Sequence, residues 1–275
     1  MRDHDSGGAH EEDARASKEY WNSLWHERQL PPAIAVGDQS LRNHINLKFH
    51  AFFRKTFDSG KRLSNELRLA ELGCARSVWL PYFSKEFGFQ VAGVDYSSTG
   101  CDQARAILAR EGVDGQVMLA DIFSPPQSLL GCFDYVVSFG LVEHFQATDE
   151  CLRSCAAFLK PGGKMFTLIP NMNGMTGWLQ KVLEREVYDV HVPLDVEMLV
   201  NAHETAGLRV LSCEYFCFLN FGVLNLNRFR ESRLGRLLSQ VLNAIAAVSW
   251  LLERIGIIFP ANRATSPYVI CISTK

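Results

Sequence analysis

Between residues 67 and 171 the chain alternates short apolar runs with stretches whose apolar positions recur every three or four residues. "LRLAELG" reads as a strand, and "SVWLPYFSKEFG" as a helix closed by Gly88. "FQVAGVDYS" is a second strand, and "SSTGCDQARAILAREG" a second helix closed by Gly112. "GQVMLADIF" and "GCFDYVVSFG" are the third and fourth strands. "TDECLRSCAAFLKPGG" reads as a helix ending at Pro161-Gly162-Gly163, and "KMFTLIPN" as a fifth strand. Continuous apolar strands separated by helices of this length imply right-handed βαβ units and a parallel, doubly wound sheet.

The flanks have a different texture. Residues 1–16 are polar and acidic without an apolar centre, which predicts a disordered tail. Residues 17–60 predict a helical cap or lid. In "SKEYWNSLWHERQLPP", Ser17 is a candidate N-cap, Tyr20, Trp21, Leu24 and Trp25 share a face, and Pro31-Pro32 ends the helix. In "NHINLKFHAFFRKTF" a second face gathers Ile45, Phe49, Phe52, Phe53 and Phe57. The main α/β domain spans 61–275, with substrate-side insertions at about 171–193 and 219–264. "LDVEMLVNAHETAGLRVLSCEYFCF" adds a helix and a strand. The 219–264 segment is too long for a bare loop and reads as a helical insertion before the closing strand "SPYVICIST".

Length and composition narrow the class. A chain of 275 residues with 47% hydrophobic and 21% charged content suits a soluble globular domain with additions. A formal net charge of -2 lacks the basic surplus of a nucleic-acid binder, so no nucleic-acid partner is expected. The eight cysteines show no C-x-x-C and sit in apolar runs, which reads as free buried thiols rather than a zinc site. No signal-peptide pattern opens the chain, so a cytoplasmic location is expected. In "LLSQVLNAIAAVSWLLERIGIIFP", Ser239, Gln240, Asn243, Glu253 and Arg254 interrupt the apolar run. A buried helix is the favoured reading there. Membrane contact through 237–259 ranks second, and a span last.

In an open parallel sheet, ligands bind beyond the carboxyl ends of the strands. Those ends read Glu71-Leu72-Gly73, Asp95-Tyr96, Asp121-Ile122 and Ser138-Phe139-Gly140. Three acids on consecutive strand ends form a rim for a polar, partly cationic ligand. An acid after the second strand suits two ribose hydroxyls, because a carboxylate offers two acceptors in a fork. Each acid alone is commonly a turn residue or a helix cap. A NAD-linked dehydrogenase would place G-x-G-x-x-G after strand one, where this chain has Gly73, Ala75 and Val78.

The residues "AELGCARS", "VAGVDYS", "LADIF", "FDYVVSFGLVEHF" and "LKPGGKMFTLIPN" together resemble the class I S-adenosylmethionine-dependent methyltransferases, over roughly residues 67–275. The resemblance implies a Rossmann-like, seven-stranded, mostly parallel sheet with an antiparallel last strand, and S-adenosyl-L-methionine as cofactor. It implies that Gly73, Cys74 and Ala75 approach the methionine part of the cofactor, and that Glu71 orders that loop. It places Asp95 on the ribose, Tyr96, Asp121 and Ile122 about the adenine, and Ser138, Phe139 and Gly140 beneath the sulfonium. Tyr20 and Trp21 are expected to close the cofactor site from the cap. Against the family's G-x-G-x-G, Gly73 is kept while Ala75 and Ser77 replace the other two glycines. A positive φ at Ala75 would be strained.

Methyl transfer is an in-line displacement, so alignment and desolvation do most of the work. His144 and His191 are the candidate bases, each with an alternative role as a hydrogen-bonded loop residue. Quinone-pathway relatives use an acid three positions before "EH" as a metal ligand. Gly140 stands there, so no metal is expected. The aromatic residues of the cap and insertions favour a small organic acceptor methylated on O or N. S-methylation, and a methyltransferase-fold binding protein without turnover, remain as alternatives. A monomer or homodimer is expected.

Overall fold

The computed structural model describes residues 13–26, 29–57, 66–226 and 228–275. Its strands are β1 (Arg68–Leu72), β2 (Gln90–Asp95), β3 (Gly115–Leu119), β4 (Phe133–Phe139), β5 (Leu159–Pro170), β6 (Arg209–Phe216) and β7 (Tyr268–Thr274). The helices are α1 (Lys18–His26), α2 (His44–Phe57), α3 (Trp79–Phe87), α4 (Ser98–Arg110), α5 (Thr148–Ala157), α6 (Met175–Leu183), α7 (Arg185–Asp189), α8 (Val196–Thr205) and α9 (Arg233–Arg254).

The apolar runs become one seven-stranded sheet in the order β3-β2-β1-β4-β5-β7-β6. β1 pairs parallel with both β2 and β4, so the order reverses at that point. A crevice therefore opens between the carboxyl ends of β1 and β4. β7 pairs antiparallel with β5 and β6, as expected. The central strands are buried on both faces. One face packs Leu152 and Cys155 of α5 and Leu199 of α8. The other packs Phe49, Phe53 and Phe57 of α2, Phe83 of α3 and Leu108 of α4. The two helices expected in the cap thus separate. α2 belongs to the core, whereas α1 has no buried residue and lies elsewhere.

Local signals act where the chemistry predicts. Gly88 takes φ 73° and ends α3, as only glycine does readily. Ser97 Oγ accepts from the Gly100 amide and caps α4. Asp195 does the same for α8 through Met198.

Three expectations are corrected. The helix read over 148–163 ends at Ala157, and β5 begins at Leu159. Pro161 offers no amide donor and Gly162 takes a left-handed φ of 76°, so the helix does not continue, and 160–163 forms an irregular start to β5 whose Gly162 and Gly163 pair with the C-terminal Lys275. Residues 13–16, read as part of a disordered tail, are docked: Ala14 bridges Phe145, and Asp13 accepts from the Ala147 amide. The remainder of that tail, 1–12, lies outside the described residues. Finally, α9 is not a buried helix. It packs through Gly235, Ser239, Ala246 and Ser249, with Leu242 and Trp250 half-buried, and turns Leu234, Leu237, Val241, Ile245, Val248 and Leu251 outward.

Candidate active site

The crevice holds two adjoining lobes, of about 480 and 650 Å³. Gly73, Asp95, Tyr96, Leu141 and Phe145 line both, so the space is continuous.

The first lobe is bounded by Asp95, Tyr96, Asp121 and Ile122, with Phe123 beside them. Asp95 sits at the end of β2. Its carboxylate accepts from the Ala75 amide at 2.9 Å and the Ser97 amide at 2.8 Å. Burial raises its pKa, and these amides oppose the rise. The Tyr96 amide also contributes, and the carboxylate's remaining acceptor capacity is available to a ligand hydroxyl. Asp121 spends one oxygen on the Phe123 amide, at 2.9 Å.

The first loop is built from small residues in close contact. Gly73 takes φ 76°, and its amide donates to the Val94 carbonyl. The left-handed residue further along is Arg76, at φ 56°, and not Ala75. Ala75 instead faces Gly100, where an added Cβ would lie 2.5 Å from the Ala75 Cβ. The glycine missing from the loop is thus matched by one at the start of α4. Cys74 Sγ packs against Gly93, so its side chain stays out of the crevice and only its backbone runs along this loop. Glu71 is also removed from the rim. It is buried beneath the loop, where the Ser77 hydroxyl donates to it. Ser77 Oγ also accepts from the Trp79 and Leu80 amides, so Glu71 is tied to the start of α3. Burial, with help from Asp95, pushes the Glu71 carboxyl up to about 8. Ser138 is fully buried within the sheet and does not reach the crevice, while Phe139 and Gly140 line the second lobe.

α1 covers the second lobe with Tyr20, Trp21, Leu24 and Trp25. It is fixed to α4 by Ser97 Oγ donating to Asn22 Oδ1 at 2.7 Å, and by Gln103 donating to the Trp25 carbonyl at 2.7 Å. Arg76 lies over the Trp25 ring, 5.5 Å from its centroid, and joins the loop to this cover.

Under the cover lie Glu143, His144 and His191. Two bonds hold their segments together. The Val192 amide donates to the Glu143 carbonyl at 2.6 Å, and His144 Nδ1 lies 2.7 Å from the Val190 carbonyl. His191 Nδ1 lies 2.7 Å from the Val187 carbonyl. A carbonyl only accepts, so each Nδ1 carries the proton and each Nε2 is left as an acceptor. Burial, and then the neighbouring His191, drive the His144 pKa down to about 3. Burial lowers that of His191. The rings stand 4.6 Å apart, with Trp21 4.8 Å from His144 on another side.

Glu143 was not singled out in the sequence, although it stands inside "EHF". It is buried, neither carboxylate oxygen has a hydrogen-bond partner, and burial pushes its pKa up to about 8. Among the described residues, its ligand atom and those of the two histidines lie within 4.8 Å of one another. A cation bonded at about 2.1 Å would hold tetrahedral donors about 3.4 Å apart, so this set must close to hold one. The expectation of no metal rested on Gly140 alone. His191, brought in from a distant segment, is a third donor that the residues around Gly140 do not reveal.

Residues 69–163 match the family model described as a methyltransferase domain. The "Ribosomal RNA small subunit methyltransferase C" of Alcanivorax borkumensis is 32% identical over 44% of this chain and 37% of its own length. The "Ubiquinone biosynthesis O-methyltransferase" of Caulobacter vibrioides is 31% identical over 38% of this chain and 41% of its own length. The chain thus spans less than half of either relative. A crystal structure of a putative sarcosine dimethylglycine methyltransferase from Galdieria sulphuraria shares the fold. Its TM-score is 0.60 and its identity 13%, over 94% of this chain and 97% of that one. Residues 69–163 thus match a methyltransferase domain, and the sheet order is that of the class I S-adenosylmethionine-dependent methyltransferase fold.

Proposed function

We propose that the protein transfers a methyl group from S-adenosylmethionine to a small organic acceptor. One observation carries the reading: the strand-end acids Asp95 and Asp121 and the pair His144 and His191 face a single continuous crevice. In this reading Asp95 holds the ribose hydroxyls, and Tyr96, Asp121 and Ile122 bracket the adenine. The backbone of Gly73 to Ala75 runs beside the methionine part, and Phe139 and Gly140 underlie the sulfonium. The acceptor occupies the lobe beneath α1. A neutral imidazole Nε2 takes the proton of a hydroxyl or amine as the methyl carbon is attacked in line and the sulfur leaves as a thioether. The aromatic cover excludes water, which would otherwise shield the reacting charges.

A small acceptor is favoured because Trp21 and Trp25 roof the second lobe. The ribosomal RNA in one relative's name is that protein's substrate. A net charge of -2 gives this chain no basic surplus for the same role. The eight cysteines are all free thiols, which fits work in a reducing compartment.

Glu143 favours a second reading. Its unpartnered carboxyl, with the two Nε2 atoms, would hold a divalent cation that acidifies the acceptor hydroxyl. A metabolite panel scored by S-adenosylhomocysteine release tests the first reading, and a panel with no acceptor above background would refute it. Repeating the successful reaction after chelation separates the two. Retained turnover supports the histidine base, and turnover lost and restored by zinc or magnesium supports the cation.

A further inference from the structure

α9 rests on the domain through Leu242, Trp250 and a row of small residues, and leaves a second apolar face exposed. The residues it buries are small: Gly235, Ser239, Ala246 and Ser249. Its large apolar residues Leu234, Leu237, Val241, Ile245 and Val248 follow one another at spacings of three or four and form one stripe. That stripe faces outward, with Leu234 70% and Val248 58% exposed. Beyond the helix, Ile255 and Ile258 are 71% and 88% exposed. An apolar surface of this extent is not left facing water without a partner.

By length and composition α9 could cross a membrane. Its contacts show that it lies flat on the domain instead. Trp250 Nε1 donates to the Leu219 carbonyl at 2.9 Å. Glu253 is held by His44 and Lys48, each at 2.8 Å. Ser232 caps the other end through the Gly235 amide. At about 1.5 Å per residue, its 22 residues offer an apolar edge about 33 Å long along the protein surface.

Charge selects the occupant. The exposed charges of α9 are Arg233, Arg236 and Arg254, while its one acid, Glu253, is buried in the ion pairs just described. A second copy of the helix would set arginines against arginines, with no exposed acid on either helix to pair them. An anionic lipid headgroup layer matches both the stripe and its basic flank. α6 carries the same combination nearby, with Trp178 and Val182 exposed and Lys181 beside them. α6 and α9 share one small apolar core through Leu179 and Leu242.

We propose that α9 docks this protein, flat and without spanning, on the surface of an anionic lipid bilayer. The test is co-flotation of the full chain with phosphatidylcholine vesicles, with and without phosphatidylglycerol. The protein is expected to float with the mixed vesicles and to be released by high salt. Leu237→Ser with Val241→Ser and Ile245→Ser, all on the exposed stripe, is expected to weaken binding by at least about tenfold. Arg233→Gln with Arg236→Gln is expected to weaken it about tenfold. Thermal melting of each variant checks that the fold is kept. Equal binding to both vesicle types would overturn the assignment to an anionic surface. Absence of flotation, with a light-scattering dimer that the serine variant dissolves, would overturn the proposal in favour of self-association. Absence of both would overturn it outright.

Discussion

The His144 and His191 imidazoles stand 4.6 Å apart, each with Nδ1 bound to a backbone carbonyl 2.7 Å away. Two rings from distant segments are thereby fixed in the same tautomer, with Nε2 as the acceptor. If one Nε2 takes the acceptor's proton, His144→Gln lowers kcat by about a hundredfold or more, the scale of a lost general base. Cofactor affinity is expected to stay as it is, because the histidines stand beyond the methyl. Since burial holds His144 near 3, turnover should persist below pH 6, where an ordinary histidine would already be protonated. A pH–rate profile with an acid limb at the ordinary histidine value would contradict the buried, neutral pair.

Ala75 and Gly100 form a matched contact. A methyl at position 100 would sit 2.5 Å from the Ala75 Cβ, far inside contact distance. Gly100→Ala is expected to destabilise the fold by about 1–3 kcal/mol, as overpacking does. Adding Ala75→Gly should recover most of the loss. Denaturant melts of the two single variants and the double variant give the coupling directly. Purely additive losses would show that the two positions do not share the space.

Glu71 links loop order to pH. Its carboxyl is raised from 4.5 to about 8 in the folded chain, by burial first and by Asp95 second. Between those values the folded state binds more protons than the unfolded one, so this group's stabilising effect is full below 4.5 and lost as pH rises through about 8. The slope is on the order of 1 kcal/mol per pH unit for one proton. Glu71→Gln keeps the volume and a partner for Ser77 and cannot ionise. Its stability is therefore expected to fall less than wild type between pH 5 and 8, as urea melts at several pH values would show. Parallel pH curves for the two proteins would rule out a raised Glu71.

The parallel sheet was legible because strands buried on both faces must be apolar throughout, as "VAGVD" and "YVVSF" are. Asp95 and Asp121 were legible as crevice residues because Asp95 is the last residue of β2 and Asp121 stands two residues past the end of β3. Glu71 was misplaced on the rim because it lies one pleat earlier, inside β1, where its side chain goes beneath the loop. Strand alternation carries that information, but a count of acids at strand ends does not. Glu143 was passed over since an acid in a short turn reads as exposed, whereas this one is buried under α1 and the 187–192 segment. α9 was misjudged for a related reason. Periodicity locates an apolar stripe but not the side on which the rest of the protein lies. Only the contacts of Gly235 and Ala246 settle that.

The central claim is that the crevice binds S-adenosylmethionine through the strand-end acids, and titration calorimetry tests it most directly. The account predicts saturable one-to-one binding by the wild-type chain. Asp121→Ala and Asp95→Ala should each weaken it by roughly 1.5–3 kcal/mol, the scale of hydrogen bonds involving a charged group. No heat of binding at millimolar cofactor, or affinity unchanged in both variants, would contradict it.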